Sequence, residues 1–264
     1  MNDRMRLLVF MVVVIVSLVV DDVNGFSGGI SPPVLGLGAI LFRPKGTTFR
    51  PSLGDRNELL KAGEFFTDAF WGSKVKGKNK GLSPAQKKTL MKQQQAEFAR
   101  RYGSRNGYTN PNDRRAELIV CENSNDETMG CVGIEVDTIS DPNTVLLDSY
   151  YSNMNDSSIQ APLMSNLAVG NQFRRKGLAE DLVKEAEQLA RKSWGYTECY
   201  LLVEKNNMAA VKLYRKLGYK TVWEDKNAKT LTPTESGAIR TTGTIILCMK
   251  KRLDAGIFGR FLPN

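Results

Sequence analysis

Apolar residues first gather between Asn57 and Trp71, where Leu59, Leu60, Phe65, Phe66, Ala69 and Phe70 recur near helical spacing and predict a helix. Ser83-Pro84 pairs a capping residue with a proline at the first helical position, and predicts a second helix to about Tyr102. Leu90, Phe98 and Tyr102 are its candidate core positions, and Gly103 stops it. Two strand-like runs, Ala116–Glu122 and Met129–Val136, flank the turn Asn123-Ser124-Asn125-Asp126 and read as a hairpin. After an irregular excursion over 138–158 comes a strand, Leu163–Val169, and then a helix, Ala179–Trp194, closed by Gly195. Leu178, Leu182, Val183, Ala186, Leu189 and Ala190 form one apolar face of that helix. A strand at Thr197–Val203, a helix at Asn207–Leu217 ended by Gly218, and a short strand at Thr221–Trp223 follow. Residues 225–240 read as a polar loop, Thr242–Lys250 as a last strand, and 253–264 as a poorly ordered tail. Helices, then a hairpin, then β-α-β-α-β-β make an α+β or mixed α/β single domain over 55–252.

The first 54 residues carry a different pattern. Arg4 and Arg6 precede an unbroken apolar or small run, Leu7 to Val20, too short to span a bilayer comfortably but suited to the core of a signal peptide. Val23, Asn24 and Gly25 fit a cleavage site, with Phe26 the first residue after the cut. Residues 26–54 are Ser/Gly/Pro-rich and basic, without acid, the composition of a transit peptide. A signal peptide (1–25), an aromatic junction and a transit-like stretch together resemble the bipartite plastid-targeting presequence of algae with complex plastids. A simple secretory signal and an uncleaved membrane anchor are the alternatives. No membrane span is expected once the leader is removed.

Charge changes the picture further. The net charge is +9 and the body remains basic without its leader, which favours anionic partners: nucleic acid, an acidic surface or a phosphorylated ligand. The lysines at 74, 76, 78 and 80 have no interleaved aromatic residue and no recognised nucleic-acid motif around them, so a solvated loop is expected and no specific nucleic-acid partner. The chain has no histidine. That removes Ser-His-Asp triads, Cys-His dyads and histidine zinc sites together, and no metal site is expected. The four cysteines stand far apart without a C-x-x-C pair and suit buried free thiols.

The most specific chemistry lies between 163 and 219. An apolar strand ends in the basic turn Arg174-Arg175-Lys176-Gly177-Leu178-Ala179, which opens a helix. Unpartnered N–H groups and the helix dipole make such a turn a pyrophosphate site. Gly177 lets the backbone N–H groups of Arg175 to Ala179 approach an anion closely, and Arg174, Arg175 and Lys176 could add charge-assisted contacts.

Leu167-Ala168-Val169, then Arg174, Gly177 and Ala179, then Asn207-x-x-Ala210-x-x-Leu213-Tyr214-x-x-x-Gly218-Tyr219 resemble the GNAT superfamily of acyl-CoA-dependent N-acyltransferases. The family's signature Q/R-x-x-G-x-G/A is met by Arg174, Gly177 and Ala179, and the strand Ser165–Val169 is similar to that of plastid-type members. The resemblance implies a twisted, mostly antiparallel sheet flanked by helices, whose fourth and fifth strands splay to admit the pantetheine arm of acetyl-CoA. It implies cofactor contacts at Leu167, Ala168, Val169, Arg174–Ala179, Asn207, Ala210 and Tyr214, with Tyr214 the general acid that protonates the departing thiolate. Asn207 would orient the cofactor or cap its helix. Glu135, on a strand, is a candidate base acting directly or through water; a water chain to backbone carbonyls is the default. The implied reaction is direct acetyl transfer to a protein or peptide amine, lysine or N-terminal. A small amine (arylalkylamine or polyamine) and a non-catalytic acyl-CoA sensor are the alternatives.

Overall fold

The computed structural model describes residues 44–72, 81–103, 115–142 and 158–253. Residues 1–43 of the proposed leader, the whole 74–80 lysine run, most of the 138–158 excursion and the tail beyond Leu253 lie outside the described residues.

A strand absent from the sequence reading, β1 (Thr48–Pro51), opens the fold as an edge paired with β2 (Ala116–Glu122). It falls inside the segment read as transit-like. Its centre is Arg50, whose guanidinium holds Glu122 at 2.8 and 2.9 Å and Glu58 at 2.6 Å. Four residues ending in proline give no periodic signal, so the strand is set by those ion pairs and by the ladder with β2. The N-terminal boundary at 55 therefore cuts off part of the folded unit.

Helix α1 (Arg56–Phe66) starts where the Asp55 carboxylate accepts from the N–H groups of Asn57 and Glu58, and it runs on through a π-helical turn to Trp71. Helix α2 (Pro84–Tyr102) carries a full capping box: Ser83 Oγ accepts from Gln86 N–H, and Gln86 Oε1 accepts from Ser83 N–H. After β2 come β3 (Thr128–Ile139) and β4 (Ile159–Val169), both longer than their apolar runs. Helix α3 (Leu178–Gln188) continues through a second π-helical turn to Ser193 and buries the apolar face read from its sequence. Strand β5 (Glu198–Glu204), helix α4 (Met208–Lys216) and strand β6 (Lys220–Asp225) follow.

The region read as a polar loop is instead a second hairpin, β7 (Lys229–Pro233) and β8 (Ile239–Gly243), standing apart from the main sheet. The last strand, β9 (Ile246–Arg252), consequently starts later than Thr242. The main sheet runs β1-β2-β3-β4-β5-β9-β6, antiparallel throughout except where β4 meets β5. Helices α1 and α2 pack on each other, α2 also against β2 and α1 against β3, while α3 lies across β2, β3 and β4. All four cysteines are buried and outside any disulfide, and burial pushes the Cys131 and Cys199 thiols up to about 12, so they stay protonated.

Candidate active site

Strands β4 and β5 pair with each other only at Leu163–Tyr200 and Met164–Leu201; beyond these, β4 stays on β3 to Val169 and β5 stays on β9 to Glu204. A bulge in β4 makes the gap. Between Ala168 and Ser165 this strand has one more residue than β3 has between Cys131 and Gly133, and Asn166 takes a left-handed φ of 55°. Asparagine tolerates that conformation where most residues do not. Its Nδ2 donates to the Tyr102 hydroxyl (2.9 Å) and to Ser165 Oγ (3.3 Å), which holds the bulge against α2. Leu167, Ala168 and Val169 therefore lie along the opening, with buried side chains and backbone groups that β5 does not pair.

Beyond Val169 the chain makes one short turn and enters the basic segment. Arg175 (φ 64°) and Gly177 (φ 83°) both take left-handed conformations. Gly177 caps α3 and has no side chain to accept from the first N–H groups of that helix, which carry no side-chain cap among the described residues. Arg174 does not turn outward. Its Nε donates to the Val169 carbonyl (3.1 Å) and its Nη2 to the Ala69 carbonyl (2.6 Å), tying the end of β4 to the π-helical turn of α1. Lys176 reaches back over the Phe173 ring, 5.6 Å from its centroid. Of the three cations expected at an anion, Arg175 alone lines the opening with its guanidinium uncommitted to the backbone.

A cleft of about 440 Å³ runs from this turn to α4. Val169, Phe173, Arg174, Arg175, Gly177, Leu178, Ala179 and Glu180 form one wall; Ala209, Lys212, Leu213 and Lys216 form the other. The second wall was not read from the sequence, although positions 209, 212, 213 and 216 follow helical spacing and mark one face of α4. Lys216 crosses the cleft to Glu180 (2.8 Å), which also holds Lys184 (2.9 Å). The Lys216 and Lys184 hydrogen bonds outweigh the effect of burial and hold the Glu180 carboxyl below its ordinary range.

Asn207 caps α4: its Oδ1 accepts from Ala210 N–H at 3.2 Å. Its buried Nδ2 has no hydrogen-bond partner among the described residues, which leaves a donor for a ligand. Ala210 and Tyr214 lie on the buried stripe of α4, behind the cleft wall. Tyr214 is fully buried, its ring packs edge-on to Tyr219 at 5.7 Å, and its hydroxyl has no hydrogen bond among the described residues. Burial, with the Cys199 thiol as a smaller influence, pushes the phenol well above its usual value near 10.

Glu135 is far from free. Its carboxylate pairs with Arg101 of α2, which also faces Glu97 at 3.6 Å and stands beside the Tyr102 ring.

A glycine-capped helix start, an arginine on the cleft wall, an amide donor without a partner among the described residues and a strand gap suit a long ligand with a pyrophosphate at one end and an amide-bearing arm at the other. Comparison with known proteins gives the family. The sequence model of the Acetyltransferase (GNAT) family matches residues 87–219, and this chain belongs to that family. GCN5-related N-acetyltransferase 4, chloroplastic, of Arabidopsis thaliana is 39% identical over 79 residues. That match takes in 30% of this chain and 27% of the relative, little more than a quarter of the relative's length. Among solved structures, a chimera of the Vibrio cholerae spermidine N-acetyltransferase SpeG with hSSAT aligns with a TM-score of 0.49 at 13% identity, covering 79% of this chain and 96% of that one. The protein yncA of Salmonella typhimurium, solved with its cofactor acetyl-CoA, aligns with a TM-score of 0.46 at 16% identity, covering 83% of this chain and 98% of that one.

Proposed function

We propose that this protein moves the acetyl group of acetyl-CoA directly to a primary amine of a protein or peptide, at a lysine side chain or an N-terminus. The observation that carries the reading is the cleft between the α3 turn and α4, which leads to the gap between β4 and β5. Acetyl-CoA supplies an activated thioester. The N–H groups of Arg175 to Ala179 and the Arg175 guanidinium take the pyrophosphate, helped electrostatically by Lys212 and Lys216 on the facing wall. The backbone of Leu167 to Val169 lies beside the pantetheine arm as a neighbouring strand would, and one of its N–H groups steadies the charge that develops on the carbonyl oxygen. Asn207 does two jobs at once: Oδ1 caps α4, and Nδ2 is free for the donor.

Tyr214 holds the proton for the leaving thiolate. A phenol pushed up by burial stays protonated across neutral pH, and it releases the proton only when a thiolate forms in the same dry space. The roles of two residues change from the sequence expectation. Arg174 is a clamp between β4 and α1 rather than a phosphate ligand. Glu135 is an anchor for Arg101 rather than a base, which leaves water to carry the amine's proton.

The choice of a protein amine rests on charge. A net charge of +9 opposes the approach of a polycation such as spermidine. An N-terminal amine, with an ordinary pKa near 8, is neutral in a larger fraction than a lysine near 10.4. Purified protein given acetyl-CoA and peptides with free N-termini or internal lysines is expected to release CoA and yield acetylated peptide by mass spectrometry. CoA release with spermidine and with no peptide would move the assignment to small amines.

The leader and the chloroplastic relative together support delivery to a plastid. Residues 1–54 fused to a fluorescent protein are expected to direct it there in an alga with complex plastids. Retention in the secretory lumen would replace that destination with a secreted or anchored one.

A further inference from the structure

Tyr214 shares its part of the core with a second group of titratable side chains that the transfer step does not use. Cys199 of β5 stands opposite Lys251 of β9 in the ladder, and Cys199 and Tyr219 are both buried. Lys251 Nζ holds Glu187 of α3 at 2.6 Å and lies 5.7 Å from the centre of the Tyr219 ring. Tyr219 in turn meets Tyr214 edge-on. The Tyr219 hydroxyl lies beside the Cys199 thiol and the Glu187 carboxylate but is aligned in a hydrogen bond with neither. None of these four residues walls the α3–α4 cleft. Lys251 is the member most open to solvent, with 23% of its side chain exposed.

Such a group is costly in a core. The Tyr214 hydroxyl, the Tyr219 hydroxyl and Glu187 Oε1 are all buried without a hydrogen-bond partner among the described residues, and each such atom lowers stability. Phenylalanine at 214 and 219 would fill the same space without that cost. The Cys199 thiol donates only to the Tyr200 carbonyl at 3.7 Å, a weak contact that it can leave. Burial, with Cys199 as the next influence, pushes both phenols well above their ordinary value. The same dryness creates a need. Once Tyr214 has given its proton to sulfur it is a phenolate in a place hostile to charge, while CoA still occupies the cleft.

We propose that Cys199, Tyr219 and the Glu187–Lys251 pair form a proton relay that restores the Tyr214 phenol from solvent without passing through the donor cleft. The inference rests on the reading of Tyr214 as the acid. In the transfer the amine nitrogen bonds to the acetyl carbon, and the carbon–sulfur bond breaks with its electron pair going to sulfur. The Tyr214 proton then goes to that sulfur. The phenolate takes a proton from the Cys199 S–H, Cys199 takes one from the Tyr219 O–H, and Tyr219 takes one from the Glu187–Lys251 pair. Lys251 recovers its proton from water. Every member ends as it began, and the proton drawn from water matches the one that the amine releases to water. Hydroxyls and a thiol suit this passage, since each both donates and accepts.

The test is Tyr219→Phe in the full chain, with Cys199→Ala and Cys199→Ser beside it, given acetyl-CoA and a peptide with a free N-terminus and an internal lysine. Tyr219→Phe keeps the ring contacts and should melt no lower than the parent. The relay acts after the acetyl group has moved. The first turnover, read by rapid quench, should therefore stay within about twofold of the parent, while steady-state kcat falls about tenfold and the peptide KM falls with it. Cys199→Ala should show the same split, and Cys199→Ser, which keeps an O–H in the chain, should recover most of the loss. A residue that merely packs on Tyr214 would slow the first turnover as much as the later ones, and that result overturns the relay. Unchanged steady-state turnover in both Tyr219→Phe and Cys199→Ala overturns it too. Tyr214→Phe checks the reading beneath: it should be slow from the first turnover. Parent rates in Tyr214→Phe remove the acid and the relay together, whereas a slow Tyr214→Phe beside an unaffected Tyr219→Phe removes the relay alone.

Discussion

Tyr214→Phe is expected to lower kcat about a hundredfold or more, the usual scale for a general acid, with the acetyl-CoA Kd unchanged. Stability should move the other way or not at all. The hydroxyl is buried without a hydrogen bond among the described residues, and a group held dry in that state costs about 1–3 kcal/mol. Removing it takes nothing from the packing of the ring on Tyr219. A variant that is slow yet melts no lower than the parent therefore separates a catalytic phenol from a packing one. Full activity in Tyr214→Phe would assign the residue to the core alone. The pH profile adds a second check. The acid works while protonated and is lost as pH rises through its own pKa, which burial lifts well above the ordinary value near 10. Between about pH 7 and 9 kcat should show no fall attributable to this group.

Gly133→Ala should be the most damaging conservative change in the sheet. A Cβ at this position would stand 2.0 Å from the Tyr102 hydroxyl and 2.6 Å from the ring carbon that bears it. Tyr102 has little freedom to yield, because its hydroxyl meets Asn166 Nδ2 and Ser165 Oγ. Overpacking of this kind costs about 3 kcal/mol, at the upper end of the usual range. In a domain of this size that lowers Tm by about 6–12 °C. Activity should fall with it, since the displaced tyrosine is what holds the β4 bulge and so the strand gap. Tyr102→Leu in the Gly133→Ala background should recover part of the melting temperature but not the geometry at Asn166. A Tm within about 1 °C of the parent would mean that α2 shifts freely, and the bulge would need another support.

Elements whose residues repeat at their own period were legible in the sequence. The apolar face of α3, the Ser83-Pro84 start of α2 and the β2–β3 hairpin fall where period and turn chemistry place them. The elements that escaped depend on partners far along the chain. Strand β1 exists through Arg50 and its two glutamates, one of them 72 residues away. The β7–β8 hairpin is built from Lys229-Thr230-Leu231-Thr232-Pro233 and Ile239–Gly243, which have too little alternation to signal strands, and it is fastened by Gln86 from 148 and 152 residues away.

The candidate site divides along the same line. Gly177 and the strand before it were readable, because a left-handed turn at a helix start calls for glycine. The left-handed Arg175 was not, since arginine carries no preference for that conformation. Arg174 was readable as a cation but not as a clamp. Its acceptor at Ala69 lies 105 residues upstream, and a backbone carbonyl leaves no mark in the sequence. Tyr214 was placed on the correct helix, while its complete burial depends on Tyr219 and on the sheet beneath it.

Strand β1 also bears on how a precursor would be matured. The plastid reading makes everything before the enzyme disposable, yet Thr48–Pro51 is stitched to β2, and Arg50 joins that edge to α1. A processing protease that trimmed to Gly54 would strip the edge from the sheet and leave Glu58 and Glu122 without their shared counter-ion. On the plastid reading, then, the scissile bond has to lie upstream of Thr48, so that the fold itself sets the limit of any trimming.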